Sequence, residues 1–202
     1  MKKPVVSFLV SGRGSNFKTV AERIIDGYIP AEFGAVISNK ADAPALDIAR
    51  SMNIPAYAVQ TDKFYTRKGH EKEIVRLLEQ HHTDLIVAAG YMRILTPYIL
   101  RKYRWRIINI QPSLLPAFPG AGAQKQTIAY GAKVSGCTAH FIDEGTDTGP
   151  IILQRTVPVL ENDTAATLSK RILEQEHTAL PEAVKLFCEG RLSVEGRKVT
   201  II

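Results

Sequence analysis

Apolar runs punctuated by glycine, proline and charge give this chain its rhythm. Residues 5–10 are almost continuously apolar, as in a strand buried on both faces, and lead into Ser11-Gly12-Arg13-Gly14-Ser15-Asn16. Phe17, Val20, Ala21, Ile24 and Ile25 then recur at i, i+3, i+4, i+7 and i+8, an amphipathic helix that Gly27 and Pro30 end. The pattern predicts further strands at 32–38, 54–59, 85–89 and 107–111. Between them it predicts helices from Pro44 to Met52, within 62–82 and near 97–103. In the charged 62–82 segment, Ile74, Val75, Leu77 and Leu78 supply the buried stripe. Adjacent helical histidines point about 100° apart, so His81 and His82 are no ligand pair. Together with His70 they are expected on the solvated surface.

Strands alternating with helices predict an α/β fold: a Rossmann-like, mostly parallel twisted sheet with helices on both faces. Downstream, a helix over 124–130 closes on Gly131, and strands over 134–142 and 150–159 flank an acidic, glycine-punctuated loop. Asp163 and Thr164 cap a helix expected to run through His177, and Pro181 is expected to open another carrying Cys188. Residues 193–199 read as a C-terminal antiparallel hairpin with Glu195-Gly196 at its turn. At 202 residues the chain is expected to form a single domain with a proper core.

The 107–111 strand breaks off in a distinctive way. It ends on Asn109 and Gln111, and Pro112 and Pro116 then block both helix and ladder. The carboxyl end of a parallel strand is where α/β proteins place their sites. At the first strand's exit, strand, glycine turn and helix offer backbone N–H groups to an anion. A dinucleotide fingerprint would need a glycine where Phe17 stands and an acid closing the second strand, where Asn39-Lys40 is found. The Gly-Lys-Ser/Thr of a P-loop is absent. A phosphate monoester on Gly14, Ser15 and Asn16 fits better, and a plain tight turn is the alternative.

Two separated cysteines, Cys137 and Cys188, form no Cys-x-x-Cys and fit a reducing cytoplasm. No run is long enough for a signal peptide or a membrane span. The net charge of +6 comes without any run of five basic residues, so no nucleic-acid partner is expected, while anionic small molecules suit the field. The loop Asp143-Glu144-Gly145-Thr146-Asp147-Thr148-Gly149 lacks EF-hand spacing, and no metal is expected.

Asn109-Ile110-Gln111-Pro112-Ser113-Leu114-Leu115-Pro116 resembles the Asn-x-His-Pro-Ser-Leu-Leu-Pro signature of the formyltetrahydrofolate-dependent formyltransferases. Gly136-Cys-Thr-Ala-His-Phe-Ile-Asp-Glu-Gly-Thr-Asp147-Thr-Gly-Pro-Ile-Ile resembles the same family's second signature. With the glycine loop, the likeness covers nearly the whole chain. It implies one formyltransferase domain over 1–202, nucleotide phosphate-binding in its N-terminal half, with the folate and catalytic site in its C-terminal half. It implies transfer of a formyl group from the co-substrate 10-formyltetrahydrofolate to the amine of glycinamide ribonucleotide in purine biosynthesis, by a monomer or homodimer. It carries Asn109 and Asp147 as catalytic residues, Gly14, Ser15, Asn16 and Glu176 as ribonucleotide ligands, and Arg67, Met92, Arg93, Ile94, Leu95 and Asn109 as formylfolate contacts. The chain begins at its first strand without the regulatory domain of the formyltetrahydrofolate deformylases. The extra C-terminal domain of the methionyl-tRNA formyltransferases is not expected either, and both points count against those readings.

Gln111 stands where the family has its catalytic His. Formyl transfer needs a donor for the developing oxyanion, a group that exchanges a proton near neutral pH, and a carboxylate to hold that group or a relay water. Asn109 suits the first need and Asp147 the third. Gln111 shares the oxyanion with Asn109 in this reading, but it cannot titrate. Gly122 is a second departure, where relatives commonly carry a His or another polar side chain. His140 is expected to be structural, with proton traffic as the alternative. Slowed formyl transfer is the leading expectation; a catalytically impaired or non-catalytic folate or ribonucleotide binder is the alternative.

Overall fold

The computed structural model describes residues 2–202 and divides them into two compact units, 2–108 and 109–202. In the first unit, strands β1 (Val5–Val10), β2 (Glu32–Ser38), β3 (Ala56–Ala58) and β4 (Leu85–Ala88) lie in the order β3-β2-β1-β4, followed by the start of β5 (Ile107–Gln111). β1 pairs in parallel with both β2 and β4, and β2 in parallel with β3. Every residue of β1 and β4 is buried. That is why these strands read as unbroken apolar runs, since a parallel sheet covered on both sides has no polar face to alternate with.

Helices α1 (Ser15–Ile25), α2 (Pro44–Ser51), α3 (Arg67–Gln80) and α4 (Pro97–Lys102) connect them. α1 buries Phe17, Val20, Ala21 and Ile24, the residues its periodicity selected. Thr66 caps α3 by accepting the Gly69 N–H at 3.0 Å. The surface placement of His70 is wrong: it is 3% exposed. Its Nε2 lies 2.7 Å from the Val59 carbonyl and its ring packs edge-on against Phe64. One turn before Ile74 it belongs to the same buried stripe, and its polar nitrogen is tolerated there because a backbone acceptor satisfies it. His81 meets the Tyr57 hydroxyl at 2.8 Å and is part-buried, so only His82 is surface as expected.

In the second unit, β5 is followed in sheet order by β6 (Val134–Phe141), β7 (Ile151–Pro158), β9 (Lys198–Ile201) and β8 (Leu192–Glu195). β6 and β7 are antiparallel, and β8 and β9 form the expected antiparallel hairpin. Its turn falls at Gly196 and Arg197, one residue beyond expectation, because Glu195 still pairs with Lys198. Helix α5 (Ala123–Tyr130) ends on left-handed Gly131. The two helices expected around Pro181 are one, α6 (Ala165–Cys188), opened by a Thr164–Thr167 capping box. Ala179, Leu180, Pro181, Ala183 and Val184 are all buried along this stretch. An interior proline costs about 3 kcal/mol, while burying a Leu or Val side chain gives about 1.5–3 kcal/mol each. Packing against β6 and β7 therefore outweighs the break.

The expected α/β class with its C-terminal antiparallel pair is what the chain forms. Among the described residues no helix is long and apolar enough to cross a membrane, and no cluster of three or more His, Cys, Asp or Glu could hold a metal ion.

Candidate active site

Asn109 and Gln111 share a face of β5 because strand side chains alternate. They turn to different partners. The Asn109 amide nitrogen lies 3.1 Å from His140 Nε2, on β6, and 3.5 Å from Asp147 Oδ1. The Gln111 amide nitrogen donates to the carbonyls of Gly120 at 2.8 Å and Phe118 at 3.3 Å. Both N–H groups of Gln111 thus point into the proline-rich loop, and the side chain is buried. Gln111 does not share an oxyanion with Asn109 in this geometry. The Phe118 carbonyl also accepts from the Ser113 hydroxyl at 3.0 Å, so Gln111 is held in a network within the loop.

Asp147 sits in the loop after β6 at a left-handed φ of 54°, a conformation costly for a non-glycine residue and concentrated at functional positions. Its Oδ2 accepts the Gly120 N–H at 2.7 Å, leaving Oδ1 toward Asn109 and His140. Asp143 holds the same loop by accepting from Thr148 Oγ1 at 2.6 Å and the Gly145 N–H at 3.1 Å. The three acids therefore divide their work: Asp143 shapes the turn, Glu144 faces solvent and Asp147 faces the site.

His140, expected to be structural with proton traffic as the alternative, lies beside Asn109 and Asp147. Its Nδ1 lies 2.9 Å from the Phe141 carbonyl and its Nε2 lies 3.6 Å from Asp147 Oδ1. Asp147 is thus not without an imidazole, contrary to what Gln111 suggested. Burial pushes the His140 pKa below its ordinary 6.5, against the Phe141 carbonyl and the charges of Asp147 and Asp143, which pull it up. Nothing in the local sequence separates such a histidine from a packed structural one.

Thr138, also on β6, fixes the strand's exit. Its hydroxyl donates to the Ser113 carbonyl at 2.7 Å and accepts the Leu115 N–H at 3.0 Å. Gln154 donates to the Leu115 carbonyl and to Thr138. The Leu115–Pro116 peptide bond is cis. Glu176 on α6 is buried, and its charge contributes, after burial, to raising the Cys137 thiol to about 12.

The first unit holds the remaining candidates. Gly14 is the N-cap of α1 in the left-handed region, with no side chain capping the helix. Ser15 and Asn16 form the first turn, so this end of the helix presents backbone N–H groups. Met92 and Ile94 are 77% and 65% exposed, Arg93 is intermediate, and Leu95 is buried. Two exposed apolar side chains thus flank an Arg at the surface. Ser11 carries no motif of its own but joins two segments. Its hydroxyl donates to Asn39 Oδ1 at 2.6 Å and accepts the Met92 N–H at 2.8 Å, tying this segment to the end of β1. Glu71 anchors the other end by accepting from the Thr96 N–H and hydroxyl. Arg67, the first residue of α3, is exposed. An open hollow of about 670 Å³ lined by Lys68, Thr96, Pro97, Tyr98, Arg101 and Lys102 contains none of the expected site residues.

Asn109, His140 and Asp147 are thus brought together at the end of β5. The formyl transferase family model matches residues 5–184, and the chain belongs to that family. It is 39% identical over 185 residues to the phosphoribosylglycinamide formyltransferase of Bacillus subtilis, covering 92% of this chain and 94% of the relative. It is 43% identical over 189 residues to the trifunctional purine biosynthetic protein adenosine-3 of Drosophila pseudoobscura pseudoobscura, covering 93% of this chain and 14% of that protein's length. Among solved structures it resembles glycinamide ribonucleotide transformylase 1 from Symbiobacterium toebii, at a TM-score of 0.97 and 44% identity, covering 99% of this chain and 94% of the other.

Proposed function

We propose that this chain transfers the formyl group of 10-formyltetrahydrofolate to the amine of glycinamide ribonucleotide, a step of de novo purine biosynthesis, in the cytoplasm, as a monomer or homodimer. The observation that carries this reading is the match to the Bacillus subtilis enzyme along 94% of its length. In the first unit, Gly14, Ser15 and Asn16 bind the phosphate, and Arg67, Met92, Arg93, Ile94 and Leu95 bind the formylfolate. In the second, Glu176 binds the ribose, Asn109 serves the formyl oxygen, and Asp147 manages the proton.

Chemically, the amine attacks the formyl carbon, the carbonyl oxygen takes up charge, and the folate nitrogen leaves with a proton. An amide N–H on the oxygen and a carboxylate near the attacking nitrogen address the two charges that develop. The test is turnover of the purified chain with glycinamide ribonucleotide and 10-formyltetrahydrofolate, followed by absorbance of the deformylated folate. Turnover above the enzyme-free rate supports the reading, and binding of both substrates without turnover overturns it.

That second outcome describes the competing reading, a non-catalytic folate and ribonucleotide binder. Gln111 favours it, because the amide is committed to the Phe118 and Gly120 carbonyls and cannot titrate. The His140–Asp147 approach favours catalysis.

A further inference from the structure

The tautomer of His140 follows from its partners. A carbonyl only accepts, so the 2.9 Å approach of Nδ1 to the Phe141 oxygen puts a hydrogen on Nδ1. In the neutral ring Nε2 is then a lone pair, and Asn109 Nδ2 at 3.1 Å donates to it. The same NH₂ group reaches toward Asp147 Oδ1 at 3.5 Å. Both Asn109 N–H groups are thus drawn to protein acceptors, and neither is left for a substrate oxygen.

A proton on Nε2 reverses this. Two donors then face each other across 3.1 Å, and the contact cannot persist. Either the Asn109 amide turns to offer its oxygen to Nε2–H, or the imidazolium turns to Asp147 Oδ1, 3.6 Å away. Both rearrangements free an Asn109 N–H.

We propose that His140 is a positioning residue that governs formyl transfer through Asn109: a proton reaching Nε2 releases the Asn109 amide to the developing oxyanion. The proposal rests on the formyl-transfer reading. As the amine–carbon bond forms, the carbonyl π pair moves to oxygen and the attacking nitrogen sheds a proton. His140 is only 1% exposed, so that proton reaches it by way of Asp147, which is 14% exposed. When the tetrahedral species collapses, the carbonyl re-forms and the bond to the folate nitrogen breaks. The proton returns through Asp147 to that leaving nitrogen, and Asn109 swings back to Nε2.

The charge acting on His140 comes from Asp147 and Asp143. Asn109 and Gln111 on β5 and Ile151, its partner on β7, are uncharged. On α6, Glu176 acts on Cys137, three residues back along β6.

The test follows the folded chain by nitrogen NMR with labelled His and Asn. The expected spectrum shows the Nδ1–H tautomer above pH 7. On acidification, the Asn109 side-chain amide signals shift with the same midpoint as the His140 ring. An Asn109 amide that stays put across that titration overturns the proposal, as does a proton on Nε2 at high pH or a ring that stays neutral down to acid unfolding. Kinetically, His140→Gln is expected to lower kcat on the order of 10²-fold while both KM values change less than about two-fold, because the coupling acts in the transition state. An unchanged kcat overturns it. Should His140→Gln fail to fold, the titration of the unaltered chain decides. An inactive parent with a coupled titration would overturn the formyl-transfer reading while supporting the His140–Asn109 linkage, so the two failures are distinguishable.

Discussion

β1 and β5 are both buried runs that stop at a polar turn, yet their exits work by different means. Beyond β1 the groups proposed to bind substrate are backbone N–H groups, and the side chains only permit the turn. Gly14 holds a left-handed φ of 78°, and a Cβ there would sit 2.6 Å from the Ala45 Cβ at the start of α2. Beyond β5 the groups proposed to act are side chains, and backbone carbonyls at Phe118 and Gly120 anchor Gln111. A backbone site is sensitive to shape and indifferent to chemistry; a side-chain site is the reverse.

The largest expected effect tests the side-chain exit. Asp147→Asn keeps the size of the group and removes its charge, so kcat/KM is expected to fall on the order of 10²-fold, with thermal stability changed little. Steady-state kinetics beside a melting curve checks this; an unchanged kcat/KM in a folded variant would remove Asp147 from the reaction.

Next comes the backbone exit. Gly14→Val adds a branched side chain where even a Cβ collides with Ala45. The expected result is about a tenfold rise in KM for glycinamide ribonucleotide with folate KM nearly unchanged, a loss of about 1.4 kcal/mol of binding. Equal losses for both substrates would make the loop structural and place the phosphate elsewhere.

Gln111→His sharpens the contrast by adding chemistry alone. With His140 already beside Asp147, a second imidazole is expected to raise kcat by about tenfold, at the modest end for an added acid–base group. It should also bring a titration near neutral pH into the kcat profile. A flat profile with an unchanged kcat would show that proton transfer at position 111 does not limit turnover.

The smallest effect compares two glycines in the same backbone state. Gly122, the N-cap of α5, has a φ of 74°, but a Cβ there meets nothing within 4 Å. Gly122→Ala is expected to cost only the left-handed strain, about 1–2 kcal/mol. Gly14→Ala should cost more, and the difference by chemical denaturation measures the Ala45 contact itself. Equal costs would mean that α2 gives way.

Much of this was written in the order of residues. Near-neighbour periodicity determined the α/β class, the buried strands, the helical stripe of α1 and the C-terminal hairpin, because each depends on residues a few positions apart. Phe17, Val20, Ala21 and Ile24 went to the core as their spacing required. The two signatures also pointed to Asn109 and Asp147 without any fold. Tertiary structure alone decided where proline and histidine ended up. Pro181 stayed inside α6 because its flanks pack on β6 and β7, and His70 became core because the Val59 carbonyl, eleven residues away, accepts from it. The same holds for His140. Its role depends on Asn109, 31 residues earlier, and on Asp147 after the turn, and the sequence could not tell an imidazole that merely fills space from one whose lone pair holds an amide. Hydrogen-bond partners distant along the chain are set by the packing of strands, and only that packing fixed which side of each amide faces the reaction.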